Sequence, residues 1–170
     1  PADYVFQNAI ISLIVDTIPP SITCLATQTL FANASCQAVL PDYRPLSTVT
    51  DNCSDPADIT IMQIPVIGAT ISDTTTVTLI ATDEAGLMDT CTFIVNLVDN
   101  TPPAIGCPVD VTVDNDPGNC SAVVLLPGSN TSDNCGVQNV TNDLPTGNIF
   151  PVGTTTVTFT ATDLSGNTSS

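Results

Sequence analysis

Oxygen-donor side chains are the residues of this chain that could do chemistry. The 170 residues include seventeen Asp or Glu, a single Lys or Arg and no His, so the formal net charge is −16. Carboxylate and amide oxygens are the ligands that Ca²⁺ prefers in proteins. With almost no cationic side chain to compete for these oxygens, the composition favours calcium over any metal that needs nitrogen ligands.

The same composition excludes several classes of function. Without His there is no imidazole for acid–base catalysis near neutral pH, and without Lys there is no P-loop or Schiff-base amine. The one basic residue, Arg44, cannot neutralise a phosphate backbone, so we expect no nucleic-acid partner. Catalysis by paired carboxylates, as in glycosidases, requires a cleft that small β-domains rarely offer. We therefore expect that the chain is not an enzyme and requires no cofactor.

Seven cysteines form the second reactive set: Cys24, Cys36, Cys53, Cys91, Cys107, Cys120 and Cys135. No Cys-x-x-Cys pair is present, which argues against a zinc site. Such cysteine usage is typical of disulfides in an oxidising compartment, so we expect an extracellular or cell-surface location. No apolar stretch approaches the roughly 20 residues of a membrane-spanning helix, and we expect no membrane insertion.

The chain contains two copies of one sequence pattern. Three segments recur, residues 16–20 at 99–103, 51–53 at 133–135 and 74–83 at 154–163, with offsets of 83, 82 and 80 (16 to 99, 51 to 133, 74 to 154). A unit of about 80 residues fits one small β-sandwich. We predict a first module at 16–98 and a second at 99–170.

Alternation of apolar residues with Thr or Asp predicts β-strands throughout. Val157, Phe159 and Ala161 form one apolar face, and residues 91–97 and 107–113 alternate in the same way. Asp83 and Asp163 each begin an Asp-x-x-Gly turn, which their side chains should cap. The fold class is all-β.

The second repeat resembles the hyalin repeat (HYR) family. The resemblance rests on Asp-Asn-Thr-Pro-Pro at 99–103, Asp-Pro-Gly-Asn-Cys at 116–120, Ser-Asp-Asn-Cys-Gly at 132–136 and Phe-Pro-Val-Gly-Thr-Thr-Thr-Val at 150–157. The first repeat matches less closely, because Leu25 replaces a proline and residues 64–68 follow the last motif only loosely. The resemblance implies tandem immunoglobulin-like β-sandwich modules without catalytic activity, in extracellular proteins such as bacterial surface proteins and animal adhesion or matrix proteins.

The resemblance also implies a disulfide scheme. Family members with only two cysteines keep the first and the fourth, which implies Cys24–Cys91. The scheme that follows from the resemblance is Cys24–Cys91, Cys36–Cys53 and Cys120–Cys135, with Cys107 unpaired.

The preferred interpretation is that the chain requires no metal. The alternative is calcium at the module junctions, where Asp16, Asp99 and Asn100 accompany paired prolines that stiffen the junction. Two short signals resemble bacterial O-glycosylation sites and predict modification at Thr17 and Thr74.

Residues 1–15 raise a question of assembly, because residues 4–15 alternate like the last strand of a module. We favour the hypothesis that they finish a preceding repeat of a longer tandem chain. The alternative is donor-strand complementation, in which they fill the second module of a neighbouring subunit. Under either hypothesis residues 99–170 lack their last strand and are completed by a neighbouring module or subunit.

The function predicted from the sequence is that of a non-enzymatic spacer repeat in a long extracellular, bacterial surface protein or filament. One alternative is an adhesin module that binds a glycan or a protein receptor and is stiffened by calcium. The other is a filament subunit that polymerises by donor-strand complementation.

Overall fold

The structure, a computed structural model, describes residues 15–170. All but one residue of the predicted strand at 1–15 lie outside this range. Within residues 15–170, the regular structure is all-β, as predicted, with two short 3₁₀ turns at Arg44–Leu46 and Thr146–Asn148. The strands are β1 Ser21–Thr23, β2 Gln28–Phe31, β3 Ala38–Val39, β4 Thr48–Thr50, β5 Thr60–Ile64, β6 Thr70–Ile71, β7 Thr75–Thr82, β8 Met88–Val98, β9 Ala104–Gly106, β10 Ser121–Val123, β11 Asn130–Ser132, β12 Val137–Asn142, β13 Ile149–Pro151, β14 Phe159–Asp163 and β15 Thr168–Ser169.

These strands form several sheets, in agreement with an immunoglobulin-like β-sandwich. The largest has the order β2-β8-β7-β5, and the smaller ones are β1-β4, β3-β6, β9-β11, β10-β13 and β12-β14-β15. β5 and β7 are antiparallel, whereas β2 runs parallel to the last four residues of β8. In the order of this sheet, β8 lies between β2 and β7.

The described chain divides into two compact units whose segments interleave in sequence. The first contains residues 15–27, Leu40–Ala69 and Thr76–Ile94. Its core follows the alternation of β7, whose Val77, Leu79 and Ala81 are fully buried. Tyr43 packs edge-on against Phe93 with ring centroids 5.0 Å apart. Successive side chains of a strand point to opposite faces, so an alternation of Thr with apolar residues predicts that the apolar side chains are buried on one face.

The second unit contains Gln28–Val39, Thr70–Thr75 and Val95–Ser170. Phe159 and Ala161 of β14 are buried, as their alternation predicts, and Ala122 of β10 is also buried. The prediction of a strand at 107–113 is wrong, because these residues form no strand and Val109 is 80% exposed. A strand needs a partner for its peptide groups, and this segment lies along an open groove described below. The predicted module boundaries stay a prediction.

Two disulfides are present among the described residues. Cys24 is bonded to Cys91, as the resemblance implied. The implied pairs Cys36–Cys53 and Cys120–Cys135 are wrong, because Cys36 is bonded to Cys135 inside the second unit. The physical reason is that residues 28–39 pack with residues 95–170, which brings Cys36 to the Asp-Asn-Cys turn of the second repeat. Cys53, Cys107 and Cys120 are exposed free thiols.

Within residues 15–170, no helix has the length and apolar character needed to cross a membrane.

Candidate metal centres

Three aspartates converge in the first unit, although they lie far apart in the sequence. Asp16 precedes the paired prolines, Asp51 begins the Asp-Asn-Cys triplet, and Asp83 directly follows β7. One carboxylate oxygen from each lies within 4.8 Å of the other two. Asp83 is buried and the other two are half-buried, so this first triad brings three negative charges together away from bulk water.

Each aspartate of the first triad uses one oxygen to cap its own turn. Asp16 Oδ1 accepts the N–H of Ile18 at 3.1 Å, and Asp83 Oδ1 accepts the N–H of Leu87 at 2.8 Å. Asp51 Oδ2 accepts two backbone N–H groups, from residues 53 and 54, at 2.9 and 2.7 Å. These local bonds explain why Asp is needed at each position, because a short carboxylate can reach the backbone two to four residues ahead.

The second unit repeats the arrangement with Asp99, Asp133 and Asp163, which we call the second triad. One oxygen from each again lies within 4.8 Å of the other two. Asp133 Oδ1 accepts two N–H groups, from residues 135 and 136, both at 2.8 Å. Asp163 Oδ1 accepts the N–H groups of residues 165 and 167 at 2.9 and 2.8 Å. The three members occupy the motif positions of the first triad, at offsets of 83, 82 and 80 (16 to 99, 51 to 133, 83 to 163).

The remaining oxygens of the triads are mostly buried without a hydrogen-bond partner among the described residues. These atoms are Asp16 Oδ2, Asp51 Oδ1, Asp83 Oδ2, Asp99 Oδ2 and Asp133 Oδ2. In the sixth aspartate, Asp163 Oδ2 accepts the Nδ2–H of Asn167 at 2.7 Å. Asp83 and Asp99 are only 6% and 8% exposed, so their orphan oxygens cannot be satisfied by bulk water. Buried carboxylate oxygens are normally paired, so these oxygens have an unmet requirement for a hydrogen-bond donor or a cation.

No cationic side chain of the protein compensates either triad. The only Lys or Arg of the chain is Arg44, whose Nη2 lies 2.9 Å from Asp42 Oδ2. This pairing lowers the pKa of Asp42 through a side-chain hydrogen bond. The triads therefore depend on backbone N–H groups or on a bound cation to offset their negative charge.

Two of the six carboxyls have pKa values below the ordinary aspartate value. Backbone hydrogen bonds from Ser54 and Cys53 lower the pKa of Asp51. Burial raises the pKa of Asp163, but hydrogen bonds from Asn167, Ser165 and Gly166 outweigh it, so the net direction is down. Both groups are held in the charged form, which is the form that binds a metal.

The donor set of both triads suits Ca²⁺, which prefers carboxylate oxygens at about 2.3–2.6 Å. Two oxygens bound to one Ca²⁺ are then at most about 5 Å apart, and the oxygens of each triad lie within 4.8 Å of one another. Zinc prefers nitrogen and sulfur ligands, and the chain has no His. A hard-oxygen site for calcium is the arrangement that these residues could form.

Of the three residues that the sequence suggested as possible calcium ligands, Asp16 and Asp99 lie in the triads, whereas Asn100 is exposed. Calcium binding by these residues stays a prediction. The prediction that Asp83 and Asp163 cap turns is confirmed, but their place in the triads was missed, as were Asp51 and Asp133 altogether. The available signal was the recurrence of an aspartate in each of three repeated motifs.

Other predicted positions lie outside the triads. Thr17 and Thr74 are exposed, and their glycosylation stays a prediction. Cys53 lies beside the first triad, where desolvation raises the pKa of its thiol and the carboxylate of Asp16 raises it further.

The second unit also contains an open groove of about 830 Å³. Two of the segments that line it, residues 107–115 and 150–157, include the counterparts of β2 and β7 (28 to 111 at the offset of 83, 75 to 155 at the offset of 80). In the first repeat the space between β2 and β7 holds β8. The two residues of β15 correspond to the first two residues of β8 at the offset of 80 (88 to 168), and β15 pairs with β14. Among residues 15–170, no strand fills the rest of that position.

Comparison with known proteins is consistent with these features. Residues 98–170 match the HYR domain. Hyalin of Strongylocentrotus purpuratus is 39% identical over 169 residues, which covers 90% of this chain and 13% of hyalin. Hyalin of Lytechinus variegatus is 30% identical over 158 residues, covering 90% of this chain and 29% of the relative.

A bacterial protein shows a shorter similarity. The serine-rich adhesin for platelets of Staphylococcus aureus strain MRSA252 is 32% identical over 107 residues, covering 54% of this chain and 8% of the adhesin. The chain therefore spans less than a third of the length of each of these three relatives.

Proposed function

Residues 98–170 are an HYR domain, and because residues 16–98 carry the same motifs, we propose that the chain is a non-enzymatic, calcium-binding structural repeat of a long extracellular protein. Its task is to space and stiffen an array of β-modules. Bacterial origin and assembly into a filament belong to the same proposal. Within it, we prefer a spacer role in a larger assembly to a role as a separate soluble protein. The similarity to much longer relatives supports a part of a large repetitive protein.

The two equivalent triads are the observation that supports calcium binding. Each brings three aspartates together, and five of the six carboxylates have a buried oxygen without a partner among residues 15–170. An acidic surface patch does not need such burial, whereas a calcium site requires oxygens that are desolvated and held in place. Because each ligand also caps a turn, a bound ion ties three turns of a module together.

Calorimetric titration tests this proposal directly. We expect the metal-free chain to bind two Ca²⁺ per molecule, and to bind one after Asp83→Asn or after Asp163→Asn. Asp58→Asn is the matched control, because Asp58 is exposed and outside both triads. Unchanged stoichiometry in both triad variants, or no heat of binding in the parent chain, would overturn the calcium component and leave the structural role to other tests.

Strand completion is the second component of the proposal. We propose that the groove of the second unit accepts a strand equivalent to β8, supplied by residues outside 99–170 of the same protein or by another subunit. Two lining residues support this, because Val111 and Val113 are apolar and yet 42% and 52% exposed at the groove. A strand placed there would satisfy both the apolar side chains and the unpaired backbone.

A synthetic peptide of residues 88–98 provides the probe for this groove. In a glutathione redox buffer we expect it to raise the melting temperature of the chain. We also expect its Cys91 to form a disulfide with the exposed thiol of Cys107, while one glutathione disulfide is reduced to two glutathione thiols. The matched control is the same peptide with Cys91→Ser, which should bind without forming a covalent product. A peptide that neither binds nor stabilises the chain contradicts strand completion.

Adhesion is a second candidate function, and the similarity to the platelet adhesin is what favours it. In that case a glycan or protein receptor would contact exposed loops of the module. A glycan array and a platelet-binding assay on the calcium-loaded chain distinguish the two, because a spacer repeat should bind neither. The adhesion alternative gains support only if binding is saturable and sensitive to loop substitutions.

A further inference from the structure

The bonded cysteines and two of the free ones occupy the same motif positions. Cys36 is bonded to Cys135, whereas Cys53 and Cys120 are exposed thiols. Across the repeats, Cys36 corresponds to Cys120 at an offset of 84 (36 to 120), and Cys53 to Cys135 at an offset of 82 (53 to 135). Cys36 and Cys120 thus share one motif position, and Cys53 and Cys135 share another. The disulfide joins one cysteine from each position, and the two cysteines that remain free also come one from each position.

The turn that presents Cys53 matches the turn that presents Cys135. Asp51 accepts the N–H groups of residues 53 and 54 at 2.9 and 2.7 Å, and Asp133 accepts those of residues 135 and 136, both at 2.8 Å. The intervening asparagine donates to the sulfur in each case, at 2.8 Å from Asn52 and at 3.4 Å from Asn134. The turn that presents Cys53 thus has the same set of hydrogen bonds as the turn that presents the bonded Cys135.

The turns that carry the other two cysteines also correspond. Residues 33–37 are closed by a hydrogen bond from Asn33 N–H to the carbonyl of Gln37 at 2.8 Å. Residues 116–121 are closed by a similar bond across one more residue, from Asp116 N–H to the carbonyl of Ser121 at 2.9 Å, and Cys120 lacks the positive φ of 56° that Cys36 has. In the bonded pair, Asn134 Nδ2 also donates to the carbonyl oxygen of Asn33 at 3.1 Å. Asn52 and Asp116 occupy the equivalent positions in the free turns.

We propose that Cys120 of one copy of this chain forms a disulfide with Cys53 of a second copy, in the way that Cys36 is bonded to Cys135. The partner is thus a further copy of the same repeat pair, recognised turn to turn, with Asn52 of one copy donating to the carbonyl of Asp116 of the other. This inference rests on one part of the proposed function, namely that the modules are arranged in an array.

The bond requires an oxidant, and a small-molecule disulfide such as glutathione disulfide supplies it. The thiolate of one cysteine attacks glutathione disulfide, forming a mixed disulfide and releasing one glutathione thiol. The second cysteine then attacks the protein sulfur of the mixed disulfide and releases the second glutathione. Two protein thiols lose two protons and two electrons in total, and one glutathione disulfide becomes two glutathione thiols.

Mixing two complementary variants tests the proposal. Both carry Cys107→Ser to remove the third thiol. One also carries Cys53→Ser and is labelled with a heavy isotope, and the other also carries Cys120→Ser. Each is incubated alone and together in a glutathione redox buffer with calcium. Covalent products are separated without reductant, weighed by mass spectrometry and mapped with an Asp-specific protease, since trypsin has a single basic residue to act on.

We expect a mixed dimer joined through Cys53 and Cys120, in roughly tenfold excess over dimers of either variant alone, since only the mixture contains both turn types. Cys107→Ser by itself should form a ladder of covalent oligomers. Predominantly monomeric products, equal amounts of mixed and like dimers, or a chain remapped to Cys36–Cys53 and Cys120–Cys135 would overturn the inference. Calcium titration of the same variants separates this outcome from failure of the metal sites.

Discussion

Asp99 and Asp163 are both almost fully buried, and a carboxylate oxygen of one lies within 4.8 Å of a carboxylate oxygen of the other. Asp99 opens the second repeat, whereas Asp163 ends β14 near the other end of that repeat. Asn167 links the two, because its Nδ2 donates to Asp163 Oδ2 at 2.7 Å and to the carbonyl oxygen of Asp99 at 3.2 Å. Like charges at such a distance repel each other, so this arrangement destabilises the folded state unless the charges are compensated.

The first prediction concerns Asp99→Asn, which removes one charge and keeps an oxygen able to accept the N–H of Thr101. In excess chelator we expect the variant to melt at a higher temperature than the parent, because one repulsive charge has gone. In excess calcium we expect it to melt at a lower temperature, with a calcium affinity reduced roughly tenfold or more, because a charged ligand is missing. Differential scanning calorimetry under both conditions measures the reversal.

Asp58→Asn serves as the control for this experiment, since it removes the same charge from an exposed position. Its melting temperature should shift little and in the same direction under both conditions. If Asp99→Asn shows no change of sign between chelator and calcium, the second triad does not bind the metal.

The second prediction concerns pH in the absence of metal. Because the pKa of Asp163 lies below its ordinary value of 3.8 in the folded chain, the folded state holds its proton less tightly than the unfolded state. The resulting stabilisation is present above about pH 4 and is lost as the pH falls through the lowered pKa. The difference in unfolding free energy between the parent chain and Asp163→Asn should therefore shrink from pH 5 to pH 2. Urea titrations at each pH measure it, and a constant difference would contradict the assignment.

The sequence determined the fold class and the repeat because both depend on local patterns. Thr alternation places Val77 and Leu79 on one buried face, and the Asp-x-x-Gly turn requires Asp163 as its cap. The triads were only partly predictable, since Asp51 and Asp133 reach them through loops whose convergence depends on the packed sheets. Their recurrence in the repeated motifs was the one signal available.

The other errors also arose from contacts that are distant in sequence. The disulfide scheme kept every pair within one repeat, whereas Cys36 is bonded to Cys135. Residues 107–113 have the alternation of a strand, but alternation does not supply a partner for the backbone. Both outcomes depend on which segments meet in space, and a single sequence contains that information only indirectly.

The third prediction concerns the Cys24–Cys91 bridge, which closes a sequence separation of 67 residues. Replacing both cysteines with Ser should lower the free energy of unfolding by about 4 kcal/mol in the chain-entropy model. Chemical denaturation under non-reducing conditions measures the loss. Cys107→Ser is the control, because Cys107 is a free, exposed thiol whose replacement should change stability little.

The last prediction compares two equivalent core positions, Val77 and Val157, at an offset of 80 (77 to 157). Val77 is fully buried, whereas Val157 is half-buried at the groove. Val77→Ala should lower the free energy of unfolding by about 2 kcal/mol, because the lost methyl groups are completely removed from water. Val157→Ala should cost clearly less in the chain alone, because water already reaches this side chain.

The cost of Val157→Ala should rise towards that of Val77→Ala when the peptide of residues 88–98 fills the groove. The peptide then covers Val157 as β8 covers its counterpart, and the deleted methyl groups would have been buried. Denaturant unfolding of both variants, with and without saturating peptide, measures the change. Equal costs in the free chain, or a cost at Val157 that the peptide leaves unaltered, would show that the groove does not accept a strand at this position.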